Sequence, residues 1–167
     1  MKKILLLCIL ILPSFLLSAQ FQSIPRLEKQ GNTTKLIIKG SPFLILGGEL
    51  HNSSTSGTAY MRPIWEKMRR KNLNTVIAPV YWELLEPEEG KFDFTLVDSM
   101  ITGARKQDLH LVLLWFASWK NGYSMYAPGW VKNDQERFPR AMRSDGESFQ
   151  MLSVFGKESM KADARAF

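Results

Sequence analysis

Short apolar runs alternate with polar stretches along most of the chain, and their lengths predict strands. The runs "KLIIK" and "PFLILGG" flank the turn sequence "KGSP", a pattern that is typical of a hairpin or of consecutive strands. The runs Asn74–Val80 and Leu109–Phe116 are almost wholly apolar, which indicates buried strands. We therefore expect three strands of one sheet to begin near Phe43, Thr75 and Leu109.

Between these runs the apolar residues follow a helical period. Pro63 is expected to open a helix, where its missing N–H needs no partner, and Trp65 and Met68 follow at helical spacing. A second predicted helix collects apolar residues on one face: Leu96, Val97, Met100, Ile101 and Ala104. A long aromatic loop is expected from the third strand to about Arg143, and Lys157–Phe167 predicts a further helix.

The expected strand starts are 32 and 34 residues apart, which favours strand–helix–strand units in a parallel sheet. Both a doubly wound sheet and a (β/α)8 barrel satisfy this pattern. The barrel is favoured because no glycine-rich phosphate turn follows the first strand, and because polar and aromatic residues cluster after every strand. The predicted fold class is α/β, comprising the first three to four βα units of a (β/α)8 TIM barrel. A complete barrel takes about 250 residues, so we expect an incomplete barrel, the N-terminal piece of a larger protein.

The N-terminus has the pattern of a secretory signal. Lys2 and Lys3 precede an apolar run from Ile4 to Leu17, and the small residue Ala19 is a suitable cleavage point. A retained anchor helix is the alternative, although the run is short for a membrane span. The predicted organisation is a signal peptide at 1–19, an N-terminal β-hairpin segment at 20–42 and part of a catalytic barrel at 43–167. We expect a secreted or periplasmic protein with no stable membrane insertion after cleavage.

Composition excludes several kinds of chemistry. The one cysteine, Cys8, lies in the signal segment, so the mature chain has no thiol for disulfides, zinc–thiolate sites or nucleophilic catalysis. The formal charge of +6 falls to +4 once Lys2 and Lys3 are removed. The chain has a basic cluster around Lys67–Lys71. Binding of single-stranded nucleic acid uses aromatic residues among the basic ones, and this cluster has none, so we interpret it as a solvated helix face with no nucleic-acid partner. His110 is expected in the core, and no motif predicts a metal or a cofactor.

Two stretches resemble a known enzyme family. "GELH" at residues 48–51 is similar to the first-strand motif of glycoside hydrolase family 35 β-galactosidases, and Pro63–Phe94 is similar to that family's first helix, second strand and following loop. The pattern W-x-x-x-EP-x-x-G-x-FDF is the most specific part, and the related family 42 shares it. The chain departs from family 35 at Asn52-Ser53-Ser54, where Tyr and Arg are usual, and in the loop after the third strand.

The resemblance implies a retaining glycosidase that hydrolyses O-glycosyl bonds of β-galactosides or related oligo- and polysaccharides in carbohydrate catabolism. It places the acid/base glutamate in an Asn-Glu pair after the fourth strand and the nucleophile after the seventh strand. The chain contains no Asn-Glu pair. We therefore expect no catalytic residue in it, and expect the rest of the barrel downstream. The alternative is a non-catalytic secreted carbohydrate-binding module or an inactive truncated gene product.

A sugar-binding role is predicted for side chains at the strand ends. Indole and phenol rings match the apolar face of a sugar, and polar side chains can bond its hydroxyls. The candidates are Glu49, His51, Tyr81, Trp82, Glu83, Trp115, Trp119, Lys120 and Asn121. The alternative for the rings is packing in the barrel core. Retaining hydrolysis needs two carboxyl groups about 5–5.5 Å apart, and the nearest local pair, Glu83 and Glu86, is better explained by Glu86 fixing the loop before Pro87.

Overall fold

The computed structural model describes residues 24–167. The predicted signal peptide at 1–19 lies outside the described residues, as do residues 20–23, so secretion stays a prediction. The described residues divide into two compact units, one that ends at Leu44 and one that comprises Ile45–Phe167. Within residues 24–167, no helix has the length and apolarity that a membrane crossing requires.

The first unit is an antiparallel sheet of three strands in sequential order: β1 (Arg26–Gln30), β2 (Thr33–Ile38) and β3 (Ser41–Pro42). Positive φ angles at Lys39 and Gly40 form the tight turn between β2 and β3. Strand β1 was not predicted, because its sequence "RLEKQ" is exposed throughout and therefore carries no buried apolar face. Strand β3 pairs with β2 through only two residues.

The second unit contains the parallel sheet that the sequence predicts. Its strands β4 (Gly47–Glu49), β5 (Thr75–Tyr81) and β6 (His110–Phe116) lie in that order, with β5 in the centre. The prediction that β4 begins near Phe43 is wrong. Gly47 is in register with Thr75, the first residue of β5, so the parallel ladder begins there. The side chain of Asn74 accepts a hydrogen bond from the Leu46 N–H at 2.9 Å and closes the ladder there.

Helices α1 (Thr58–Arg70) and α3 (Thr95–Lys106) connect the three strands, and α2 (Trp82–Leu85) is a single turn after β5. The prediction that Pro63 opens α1 is wrong, because the helix starts five residues earlier. The earlier start places Met61 and Trp65 one turn apart on the same buried face. Pro63 thus lies inside the helix, where its nitrogen cannot make the hydrogen bond to the Ala59 carbonyl.

The segment between β6 and the last helix is more ordered than the long loop that the sequence predicts. It contains the short helix α4 (Gly129–Lys132) and an antiparallel hairpin of β7 (Arg140–Met142) and β8 (Ser148–Leu152). Helix α5 (Lys157–Ala166) follows, as predicted. The hairpin was missed because β7 has three residues and its pairing with β8 shifts register, so no alternating pattern develops.

Strand β5 forms the centre of the core. Six of its seven residues are buried, and the cluster around it is made of Leu50, Met61, Trp65, Val76, Ala78, Val80, Leu85, Met100, Ala104 and Leu109. Strand β6 differs, because Val112 and Leu113 are each 47% exposed. In the described chain, both faces of β5 are therefore covered by other residues, whereas β6 is partly exposed to solvent. The expectation that His110 is a core residue is also wrong, since this side chain lies exposed at the start of β6.

Gly103 in α3 provides a first test, because α1 packs directly against its backbone. A Cβ atom at Gly103 would lie 2.3 Å from Trp65 Nε1, far inside a van der Waals contact. Gly103→Ala is expected to destabilise the protein by about 1–3 kcal/mol, the usual cost of overpacking. Helix propensity alone predicts the opposite sign, a gain of about 0.5–1 kcal/mol.

Urea unfolding of both proteins measures the difference. Gly129→Ala in α4 is the matched control, since a Cβ there meets nothing nearer than 3.8 Å. A Gly103→Ala protein that is as stable as the parent would contradict the close approach of the two helices.

Candidate functional site

The predicted site residues lie at or after the ends of the three parallel strands. Glu49 ends β4, Tyr81 ends β5 and Trp115 lies one residue before the end of β6. Because the carboxyl ends of parallel strands meet at the same edge, the segments that follow these strands lie there too. Those segments carry the other candidates, His51 after β4, Trp82 and Glu83 after β5, and Trp119, Lys120 and Asn121 after β6. We call this the carboxyl edge.

Tyr81 is buried at this edge and joins the ends of two strands. Its hydroxyl accepts a hydrogen bond from the Thr55 N–H at 3.3 Å and shares a second one, of 3.0 Å, with Thr55 Oγ1. Thr55 Oγ1 also donates to the carbonyl of Pro79, so in the second bond the tyrosine hydroxyl is the donor. The ring stacks on Tyr126 with centroids 5.4 Å apart. Tyr81 therefore fixes the segment after β4 to β5, and burial raises the pKa of its phenol.

Trp82 lies in the interior, with no exposed surface. Its Nε1–H donates to Glu86 Oε2 at 2.8 Å, and its ring meets that of Trp130 edge to face at 5.7 Å. This corrects the expectation that Trp82 offers an open face to a sugar, because the alternative of core packing describes its surroundings.

Glu86 is a fully buried carboxylate with donors on both oxygens. Besides the Trp82 indole, the Gly90 N–H donates to Oε1 at 2.7 Å and Arg165 donates to the same oxygen at 2.9 Å. The backbone carbonyl of Glu86 accepts from Trp130 Nε1 at 3.1 Å. The residue therefore fixes the segment after β5, as predicted, and its carboxylate has no access to a substrate.

Glu83 follows β5 closely and is partly open to solvent, with its side chain 35% exposed. The Glu83 N–H donates to the Tyr126 carbonyl at 2.9 Å. One oxygen of its carboxylate accepts from Lys132 Nζ at 3.0 Å, and the same ammonium donates to the Met125 carbonyl at 3.0 Å. The position and orientation of Glu83 thus depend on residues that follow β6.

Trp115 in β6 and Trp119 after it are held by long-range hydrogen bonds. Trp115 Nε1 donates to Asp163 Oδ1 at 2.7 Å, and Asp163 Oδ2 accepts from the Ser118 N–H at 3.1 Å. Trp119 Nε1 donates to the carbonyl of Leu152 at 3.0 Å. Trp115 is partly buried, whereas Trp119 is 40% exposed and keeps an accessible ring surface.

Lys120 and Asn121 belong to a tight turn. Lys120 and Tyr123 exchange backbone hydrogen bonds of 2.9 and 3.0 Å, and both central residues, Asn121 and Gly122, have positive φ angles. Asn-Gly is the preferred sequence for such a turn. Asn121 therefore has a conformational reason to be present besides the predicted contact with a sugar. Lys120 Nζ lies 4.3 Å from the centre of the Phe116 ring.

Glu49 and His51 are both exposed, on and just after the first strand. Glu49 is in register with Ile77, four residues before Tyr81, so it sits below the level of the other candidates. His51 Nδ1 accepts from the Ser53 N–H at 3.4 Å. The His51 side chain lines an open pocket of about 330 Å³ together with Tyr60.

The residues that sequence reasoning missed are the partners of the candidates. Asp163 and Arg165 in α5 hold Trp115 and Glu86 from 48 and 79 residues away, and Lys132 holds Glu83 from 49 residues away. No periodicity or local motif marks such long-range contacts. Within residues 24–167, no group of three or more potential ligands is placed to hold a metal ion.

Enzymes with the (β/α)8 barrel fold carry their active sites at the carboxyl ends of parallel strands. The sequence model of glycosyl hydrolases family 35 matches residues 35–152, which include β4, β5, β6 and most of the edge. The chain therefore belongs to family 35. The match includes all nine candidate residues.

Individual relatives agree with the family. A beta-galactosidase of Xanthomonas manihotis is 34% identical over 95 residues, which are 55% of this chain and 15% of that protein. Beta-galactosidase 14 of Arabidopsis thaliana is 41% identical over 71 residues, 40% of this chain and 8% of that protein. The chain thus spans a small part of the relatives it matches.

A solved structure is similar in fold. A polyextremophilic beta-galactosidase from the Antarctic haloarchaeon Halorubrum lacusprofundi superimposes with a TM-score of 0.57 at 19% identity, covering 74% of this chain and 18% of that chain. At this identity the similarity concerns the fold alone. It supports the mixed α/β architecture with a parallel sheet.

Glu86→Gln tests the buried carboxylate. The substitution keeps the shape but turns one acceptor into an amide donor that faces other donors, so we expect a loss of about 1–3 kcal/mol of unfolding free energy. Urea denaturation measures it. Glu88→Gln is the matched control, because Glu88 is exposed and its ion pair with Lys91 is worth at most about 1 kcal/mol. Equal losses in both variants would contradict the role of Glu86.

Tyr81→Phe tests the buried phenol through pH. Because burial raises the pKa of Tyr81, the folded state holds its proton more tightly than the unfolded state. The stability that results is present below the unfolded pKa of about 10 and is lost as pH rises through the folded pKa. Urea unfolding from pH 7 to 11 should show the parent losing stability more steeply above pH 10 than Tyr81→Phe. Parallel curves would contradict this expectation, since the two proteins share all other titrating groups.

Proposed function

We propose that this chain forms the N-terminal βα units of the catalytic (β/α)8 barrel of a retaining, β-galactosidase-like glycoside hydrolase. The whole enzyme would cleave terminal β-linked galactosides, or related glycosides, in carbohydrate catabolism. The observation that carries this proposal is the family 35 match over residues 35–152, because it covers the three strands whose carboxyl ends carry the candidate residues.

The exposed side chains of the carboxyl edge would bind the sugar. Trp119 offers an accessible ring for the apolar face of a pyranose, and Glu83 can accept hydrogen bonds from its hydroxyls. Lys132 would hold the Glu83 carboxylate in place through its 3.0 Å contact. Glu49, His51, Lys120 and Asn121 are further candidates for contacts with hydroxyl groups.

The chain by itself would not hydrolyse glycosides. The Glu86 carboxylate is fully buried and occupied by three donors, and Glu83 is paired with Lys132, so the two do not form an acid/base pair. The Asn-Glu pair that the family resemblance implies does not occur in the sequence. The acid/base and the nucleophile would come from later strands of the barrel. We also propose export through the signal at residues 1–19.

The test compares the 167-residue chain with the product of the open reading frame that contains it. With p-nitrophenyl β-galactoside, we expect turnover only from a longer product that includes an Asn-Glu pair, and proton NMR should show the β-anomer released first. Glu83→Gln in that product should lower kcat/KM by about tenfold or more, equivalent to about 1.4 kcal/mol. Glu88→Gln, in the same loop, serves as its control.

Two outcomes would contradict the proposal. Turnover by the 167-residue chain would show that the catalytic carboxylates lie within it. Absence of turnover from any product, together with galactose binding by the chain, would favour the alternative of a non-catalytic carbohydrate-binding module.

A further inference from the structure

An open groove of about 630 Å³ lies between α4 and the β7–β8 hairpin. Both elements belong to the segment that joins β6 to α5, so the groove opens on the carboxyl side of the sheet. Its lining includes the side chains of Met125, Lys132, Gln135, Arg140, Phe149 and Gln150. None of them is among the candidates that the sequence predicts. A volume of several hundred cubic ångströms is typical of sites for small molecules.

The floor of this groove is fixed by hydrogen bonds between distant parts of the chain. Buried Ser124 anchors β8 twice, because its N–H donates to the Gln150 carbonyl at 3.1 Å and its Oγ accepts from the Leu152 N–H at 2.7 Å. Arg140 in β7 donates to the Lys132 carbonyl at the end of α4 at 3.2 Å. The hairpin and the helix are therefore held at a set separation, as a binding groove requires.

The lining suits a neutral sugar chain. Phe149 is 48% exposed and Met125 is 61% exposed, so both present apolar surface. The carboxamides of Gln135 and Gln150 can donate to and accept from hydroxyl groups, and the free N–H groups of Arg140 can donate to them. Alternating apolar surface and hydrogen-bonding groups matches a pyranose, which has C–H faces and a rim of hydroxyls. An apolar ligand would leave the amides unpaired.

Lys132 connects this groove with the candidate site. Its ammonium donates to Glu83 Oε2 and to the Met125 carbonyl, both at 3.0 Å. Glu83 belongs to the carboxyl edge and Met125 to the groove, so the same side chain borders both. The groove and the candidate site are therefore neighbours.

We propose that the groove is an outer subsite for the glycan chain beyond the terminal galactosyl residue. The substrate class is then an oligo- or polysaccharide, and free galactose would leave the groove empty. This inference rests on the proposed function, because it names the substrate of that same site. Phe149 is the stacking residue, and Gln135 and Gln150 bind hydroxyl groups.

The experiment titrates the full 167-residue chain with β-1,4-galactotetraose and, separately, with galactose, and follows the side-chain amide signals of Gln135 and Gln150 by NMR. We expect the tetrasaccharide to shift both signals and galactose to leave them in place. Phe149→Ala should weaken tetrasaccharide binding by about five- to tenfold, the effect of losing an aromatic contact of about 1–1.4 kcal/mol.

Phe155→Ala is the matched control. Phe155 is 89% exposed and lies outside the groove, between β8 and α5, so its removal should leave the affinity unchanged. Absence of a shift with tetrasaccharide at millimolar concentrations would overturn the proposal. Equal weakening by both alanine variants would also overturn it, as would galactose shifts as large as those of the tetrasaccharide.

Failure of this proposal and failure of the proposed function can be told apart. Binding is measured on the chain without any turnover, so an inactive longer product leaves the groove result unaffected. Conversely, turnover of the short aryl galactoside tests the enzyme without requiring the groove.

Discussion

The arrangement of the carboxyl edge depends on one buried carboxylate, Glu86. A carboxylate without exposed surface is stable only when hydrogen bonds replace its water, and Glu86 obtains three of them from three parts of the chain. Trp82 comes from the end of β5, Gly90 from the loop and Arg165 from α5. The loop after β5 is thereby closed onto α5, and the neighbouring Glu83 is left facing outward to meet Lys132. A charged residue in the interior thus determines which other residues remain accessible.

At the carboxyl edge, residues directly at a strand end are packed in the interior, whereas residues further past the strand end remain accessible. Tyr81 and Trp82 lie directly at the end of the central strand, where neighbouring strands and helices cover them. Trp119 lies three residues past the end of an outer strand and keeps an exposed ring. Aromatic type alone therefore does not distinguish a ring that packs from a ring that can stack on a ligand.

Much of the sheet could be predicted from the sequence because β5 is buried at six of seven positions, and a continuous apolar run reports burial directly. The same reasoning failed where burial is one-sided or absent, as in β1, whose residues are all exposed, and at His110 on an outer strand. It also failed for Pro63, because the buried face of α1 already begins at Met61, before the proline. The groove and the partners of the site could not be predicted, since their contacts join residues that no local pattern relates.

The separation of 79 positions between Glu86 and Arg165 also has a consequence for synthesis. A ribosome adds about 5–20 residues per second, so Arg165 is made about 4–16 s after the carboxylate that it binds. During that interval the Glu86 side chain lacks its cationic partner and the loop after β5 has no helix to close onto. The β5 end of the carboxyl edge is therefore completed late, by residues that take no part in binding.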